Sequence, residues 1–140
     1  KIDTQNPTAI RLNDLLEWSK QSNFEWLDYK EDIRSYIYDA DISCLPSYRE
    51  GLPKSILEDC STGTPVICSD IPGCNSIITH EYNGLLIKTK SSQSLLLAIL
   101  ILANDHKKRL LYAERSRKII EDNFSLNIIY KKMIKVYENI

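Results

Sequence analysis

Short apolar runs, each bounded by a turn-forming or charged residue and followed by a segment of helical period, recur along this chain. That alternation constrains it to a layered α/β fold with a mainly parallel sheet and flanking helices. The runs expected as strands are Phe24 to Leu27, Ile42 to Leu45, Pro65 to Cys68 and Gly84 to Lys88. Pro46 stops the second, because proline brings no N–H to a ladder. Between the strands, apolar residues return every three or four positions from Ala9 to about Gln21 (Ile10, Leu12, Leu15, Leu16, Trp18) and from Glu31 to about Tyr38 (Ile33, Tyr36, Ile37). A third helix is expected from Pro53, whose missing N–H costs nothing in a first turn, to about Thr62, with Gly63 as a left-handed cap. Asp70 to Gly73 reads as a turn. Three helices close the chain: Ser92 to Ala103, Asp105 to Glu121 and Ser125 to Tyr137, with Asp105 and Ser125 as N-caps of the last two.

The 140 residues suit one domain, spanning 1–140, rather than two lobes. Hydrophobic residues make up 43% and charged residues 26%, as in soluble globular proteins. With 18 basic and 19 acidic residues, a net charge of −1 gives no general attraction to nucleic acid or to an acidic membrane surface. The basic residues Lys107, Lys108, Arg109, Arg115, Arg117 and Lys118 alternate with Leu110, Leu111, Ile119 and Ile120, as on the solvated face of an amphipathic helix. The apolar run from Leu95 to Leu102 is far short of the ~20 residues that span a bilayer. It is expected to be a buried helix. The four cysteines, Cys44, Cys60, Cys68 and Cys74, show neither a CxxC pair nor zinc-ligand spacing. They read as buried reduced thiols of a cytoplasmic protein.

Chemistry concentrates between Leu45 and Glu58, where the chain leaves a strand, turns through Gly51 and enters a helix. Ligands of open α/β sheets bind at that end of the strands, and the N–H groups opening a helix suit phosphate. Lys54 stands in the first turn, where the helix dipole disfavours a cation and a bound diphosphate would reverse the preference. Glu58 projects on the same side as Lys54, and its carboxylate can accept two hydrogen bonds from a vicinal diol such as a ribose. From spacing alone, a solvated Lys54–Glu58 pair worth roughly 0.2–0.5 kcal/mol at best is the stronger reading.

The ordered segments Ser47-Tyr48-Arg49-Glu50-Gly51-Leu52-Pro53, Ile56-Leu57-Glu58, Gly63-Thr64-Pro65-Val66-Ile67, Asp70-Ile71-Pro72-Gly73-Cys74 and Asn83-Gly84-Leu85-Leu86 resemble the family 4 (group 1) glycosyltransferases, with Glu50 and Glu58 matching their Glu-x7-Glu pattern. The resemblance runs from about Pro7 to the C-terminus. It implies the C-terminal, nucleotide-sugar-binding half of a two-lobed GT-B enzyme that retains anomeric configuration and needs no metal or other cofactor. Carried over, Glu50 is the catalytic residue, bonding donor-sugar hydroxyls near the reacting carbon. Gly51, Leu52 and Lys54 approach sugar and phosphates through their backbone, and Glu58 holds the ribose diol. Gly63, Gly73 and Gly84 match structural cap and turn positions. Asp28 stands where the family's strand before the base usually ends in glycine, and Ser76 where many members carry glutamate.

The family's sheet resembles a Rossmann order of 3-2-1-4-5-6. Matched to it, this chain begins after the second strand, so the first strands and their diphosphate-neutralising Arg and Lys are expected to be missing. Either the sheet closes over the gap or another polypeptide, such as the N-terminal lobe, fills it. The implied function is donor binding for transfer of a hexose-type sugar to a surface glycan or lipid acceptor. It would take place in the cytoplasm, at the inner face of the membrane, where the full enzyme would associate peripherally. The alternative is a non-catalytic remnant of a truncated or split gene. A receiver domain, a third α/β possibility, would require an acidic cluster beside Asp28 that the sequence lacks.

Overall fold

Pairing decides which apolar runs become strands. The structure, a computed structural model, describes residues 10–138. The chain divides into two units, residues 1–33 and 34–140.

In the first unit the periodic stripe gives a short helix, α1 (Leu12–Trp18), none of whose residues is buried. The expected start at Ala9 lies outside the described residues. Phe24 to Leu27 forms no strand, which corrects the expectation of four. The Phe24 amide donates to the Gln21 carbonyl at 3.2 Å and its ring meets Trp18 edge-on at 5.8 Å. Phe24 thus belongs to the turn that ends the helix, and an apolar run without a neighbouring ladder stays irregular. Asp28 adopts φ 53°, the left-handed region, at the position where the resemblance places glycine.

The second unit contains α2 (Arg34–Asp39), β1 (Ser43–Leu45), α3 (Lys54–Thr62), β2 (Val66–Ser69), α4 (Pro72–Asn75), β3 (Gly84–Ile87), α5 (Ser92–Asn104), α6 (His106–Asn123) and α7 (Leu126–Tyr137). Its strands form one parallel sheet in the order β1-β2-β3, with Ser43 opposite Val66 and Ser69 opposite Ile87. Among the described residues β1 pairs with β2 alone.

All of β2 is buried, and its side chains alternate between two cores. Val66 and Cys68 pack with Ile56, Cys60, Ile71 and Cys74 under α3 and α4. Ile67 packs with Leu85, Ile87, Ala98, Leu102 and Tyr112 under α5 and α6. Each large aliphatic side chain sequestered there contributes roughly 1.5–3 kcal/mol.

Caps match the sequence unevenly. Gly63 ends α3 at φ 82°, as expected of a left-handed cap. Asp105 accepts from Lys108 N at 2.9 Å and so caps α6, whereas the Ser125 side chain makes no cap bond. Arg109 donates to the carbonyls of Leu102 and Ala103 at 2.6 and 3.0 Å, which satisfies orphan acceptors at the end of α5.

Three expectations fail on burial or form. The run in α5 is helical but only half sequestered: Ala98 and Leu102 are buried while Leu96, Leu97, Leu100 and Ile101 are exposed, because α5 presents a single face to the sheet and α6. On α6 the inward residues are Tyr112 and Ser116, and Leu110 and Leu111 face solvent. Cys44 is exposed on edge strand β1, leaving three buried thiols rather than four. The turn at Asp70 to Gly73 also tightens into the helical turn α4, with Pro72 at its start.

Candidate functional site

The loop from Pro46 to Pro53 leaves the C-terminal end of β1 and delivers the chain to α3. Within it the half-buried Glu50 accepts a 2.7 Å hydrogen bond from the Ser47 hydroxyl. Gly51 and Leu52 are exposed, and buried Pro53 precedes the first helical residue, Lys54. No side chain caps this helix, so the N–H groups of Lys54, Ser55 and Ile56 keep the orphan character of a helix start. Lys54 and Glu58 are both exposed one turn apart, and no ion pair joins them among the described residues. The solvated-pair expectation therefore does not hold.

Gly73 fixes where this loop lies. A Cβ on Gly73 would come within 2.5 Å of the carbonyl oxygens of both Glu50 and Gly51. The glycine is needed for close approach, not for an unusual φ: α4 rests directly on the peptide that carries Glu50. Gly84 does the same in the sheet, where a Cβ would meet the Val66 carbonyl at 2.7 Å. Both are contact glycines rather than turn glycines, which refines their expected role.

Two polar residues went unnoticed in the sequence. Ser47 lies three residues before Glu50, a spacing at which a hydroxyl can reach a carboxylate in a turn. Asp59 is 6% exposed and shares the inward side of α3 with Ile56 and Cys60, so its place in that stripe was the available signal. It accepts from the Ser43 hydroxyl at 2.5 Å, tying α3 to β1. Burial pushes the Asp59 carboxyl above its ordinary value; the Ser43 hydrogen bond opposes the shift and the Glu58 charge adds to it.

The buried thiols are chemically quiet. Burial pushes Cys60 up to about 12 despite a hydrogen bond with Ser116. It also raises Cys68, with the Cys74 thiol adding, and raises Cys74 beside the Glu50 charge. Among the described residues no cluster of three His, Cys, Asp or Glu is placed to hold a metal ion, and no helix is long and apolar enough to cross a membrane.

The segment that supports the loop is bonded throughout. Asn83, fully buried, accepts from Thr79 N at 2.7 Å and donates to the Ile77 carbonyl at 3.1 Å. Its own carbonyl accepts from the Ser116 hydroxyl at 2.6 Å, and Arg115 of α6 donates to the Tyr82 carbonyl at 3.1 Å.

Comparison with known proteins agrees with this architecture. The family model described as "Glycosyl transferases group 1" matches residues 8–119. An N,N'-diacetylbacillosaminyl-diphospho-undecaprenol alpha-1,3-N-acetylgalactosaminyltransferase of Campylobacter jejuni is 34% identical over 97% of this chain and 35% of its own length. A UDP-Gal:alpha-D-GlcNAc-diphosphoundecaprenol alpha-1,3-galactosyltransferase of Escherichia coli is 33% identical over 67% of this chain and 24% of its own. The chain thus spans about a third or less of the length of these curated relatives. Among solved structures, Anabaena HepE in complex with UDP and glucose superposes over 91% of this chain and 35% of its own, with a TM-score of 0.84 at 20% identity. The fold is that of GT-B glycosyltransferases.

Proposed function

This chain belongs to the glycosyl transferases group 1 family, and from that premise we propose that it is the nucleotide-sugar-binding part of a retaining hexosyltransferase. One observation carries the reading: the Glu-x7-Glu pair sits astride the start of α3, with Glu50 held by Ser47 and by the contact of Gly73 with its peptide. The free N–H groups of that helix start favour a diphosphate, and Lys54 adds a positive charge. Glu58, one turn on, accepts the ribose diol. Glu50 accepts from the sugar hydroxyls, and Gly51 and Leu52 bring the backbone close to the sugar. In the transfer, the bond from the anomeric carbon to the diphosphate oxygen breaks and a bond to an acceptor oxygen forms on the same face. The acceptor's proton ends on the departing diphosphate. No metal is invoked: in this chain the helix start and Lys54 supply the positive field.

Two relatives are named for lipid-linked diphospho-undecaprenol substrates, and on that likeness the acceptor is a surface-glycan or lipid-linked sugar. The reaction would take place at the cytoplasmic face of a membrane. The 140 residues contain no segment for the acceptor lobe or for the upstream Arg and Lys, so another polypeptide segment would have to complete the enzyme. The chain alone is then expected to bind donor at millimolar strength, since two missing charge-assisted hydrogen bonds at roughly 1.5–3 kcal/mol each weaken binding by a few powers of ten. Calorimetric titration with UDP- and GDP-sugars tests this. Weak binding lost in Glu58→Ala supports it. Micromolar binding indifferent to Glu58 rejects the site, and silence at millimolar donor favours the non-catalytic remnant.

A further inference from the structure

A cavity opens at the C-terminal edge of the sheet on the α5 side of β2, and it is lined by none of the residues assigned to the donor. Its volume is about 430 Å³, and it is lined by the ends of all three strand segments (Pro46, Ser69, Ile87) and by the start of α5. Lys88, Lys90 and Tyr48 complete the wall, and the Lys90 ammonium lies 5.5 Å from the Tyr48 ring centre. The lining carries two ammonium groups and no carboxylate.

The α5 helix begins here and is thirteen residues long. Ser91 caps it by accepting from Ser94 N at 3.1 Å, and Leu95 N is taken by the Ser91 carbonyl. The first two helical N–H groups, those of Ser92 and Gln93, are left without intrahelical acceptors. A helix start alone would mean little. Ser69 adds an independent observation: it is 1% exposed, lines the cavity, and its hydroxyl has no hydrogen-bond partner among the described residues. Strand alternation puts it on the α5 face with Ile67, which packs against Ala98 and Leu102. No side-chain polar atom sealed from solvent lacks a partner among the described residues, so the little area Ser69 keeps is at the cavity, where water or a ligand completes its hydroxyl.

We propose that this cavity is a phosphoryl-binding site, in which Lys88 and Lys90 supply charge, the Ser92 and Gln93 amides and the Ser69 hydroxyl donate hydrogen bonds, and Pro46, Ile87 and Leu95 accommodate an apolar neighbour of the phosphate. The assignment does not depend on the donor residues. The phosphate is either that of an acceptor or the diphosphate of the donor, and the two sources separate experimentally.

The test titrates pyrophosphate into the full chain, followed by amide shifts in NMR at constant ionic strength. Shifts are expected at Ser92 and Gln93, with affinity at least about tenfold weaker in the Lys88→Ala/Lys90→Ala variant and about threefold weaker in Ser69→Ala. Glu58→Ala should leave this binding unchanged, which keeps a failure here distinct from a failure of the donor assignment. Both lysines are exposed, so unchanged urea midpoints are expected and check the fold. Displacement of pyrophosphate by UDP identifies the donor as the source; simultaneous binding identifies the acceptor. The site is overturned by an absence of shifts, by shifts confined to the start of α3, by equal affinity in the lysine variant, or by an equal response to chloride.

Discussion

Residues 46–54 and residues 70–84 lie side by side at the sheet edge and carry the same kinds of residue, yet they are held in opposite ways. In the second stretch, Gly73 and Gly84 leave no room for a methyl group and Asn83 makes hydrogen bonds through its amide and its carbonyl. In the first, Gly51 has nothing within 4 Å of a Cβ, and Tyr48, Leu52 and Lys54 are exposed. Among the described residues its side chains are tethered by the Ser47–Glu50 hydrogen bond and by the Lys90 ammonium over the exposed Tyr48 ring. Polar residues sealed by the protein's own groups make a platform, whereas polar residues left open beside it are free to meet a ligand. The contrast assigns stability to one stretch and binding to the other.

Substitutions should expose that division, most sharply at Gly73. A Cβ there must displace backbone atoms, which cannot yield as a side-chain tip can. Gly73→Val is expected to cost about 3 kcal/mol or more in urea denaturation. It should also disturb donor binding through Glu50. If its midpoint matched wild type, the platform would not be rigid. Asn83→Ala comes next, at roughly 2–3 kcal/mol, because the buried Ile77 carbonyl and the half-buried Thr79 N–H lose their partner. Protection of the Thr79 amide against hydrogen exchange should fall with it.

Gly63 tests backbone strain in isolation, since the nearest atom to a new Cβ is Ala113 Cβ at 4.0 Å. Gly63→Val should therefore cost roughly 1–2 kcal/mol from the positive φ alone, and Gly63→Asn distinctly less. Glu58→Ala belongs at the other pole. It should move the urea midpoint by no more than about 0.5 kcal/mol while removing donor binding. A larger stability loss for Glu58→Ala than for Gly63→Val would dissolve the distinction between residues held for the fold and residues left open for a ligand.

Much of the platform was legible before any coordinates. The helix from Pro53, its Gly63 cap and the three paired strands follow from period, proline and glycine, because local chemistry and tertiary packing agree there. Phe24 to Leu27 was illegible for a physical reason: apolarity and length describe a candidate strand, but only a neighbouring ladder makes one. The α5 run misled similarly, since a hydrophobic stretch states what can be buried and not what is available to cover it. At the site, Glu50 and Glu58 stood out through ordered motifs rather than through spacing. Ser69 could not be found at all. Its significance lies in the absence of a partner, which no local pattern encodes.

Asp59 gives the smallest effect and the finest test of where sealing ends, because it borders Glu58 yet points inward. Burial, the leading cause, raises its carboxyl above the ordinary value. A carboxyl with a raised folded-state value binds its proton more tightly when folded than when unfolded. Its contribution to stability is therefore most favourable below the unfolded value, near pH 4, and declines as pH rises from there through the raised folded value. This is the reverse of a salt-bridged carboxylate, which loses stability on acidification. Asp59→Asn removes the ionisation while keeping an acceptor for the Ser43 hydroxyl. Urea midpoints of wild type and variant, measured at pH 4 and pH 7, should show the variant gaining on wild type at the higher pH. A gap that is constant, or that shifts the other way, would mean that the Ser43 hydrogen bond outweighs burial. Asp59 would then count as a satisfied anion rather than as a charge the core resists.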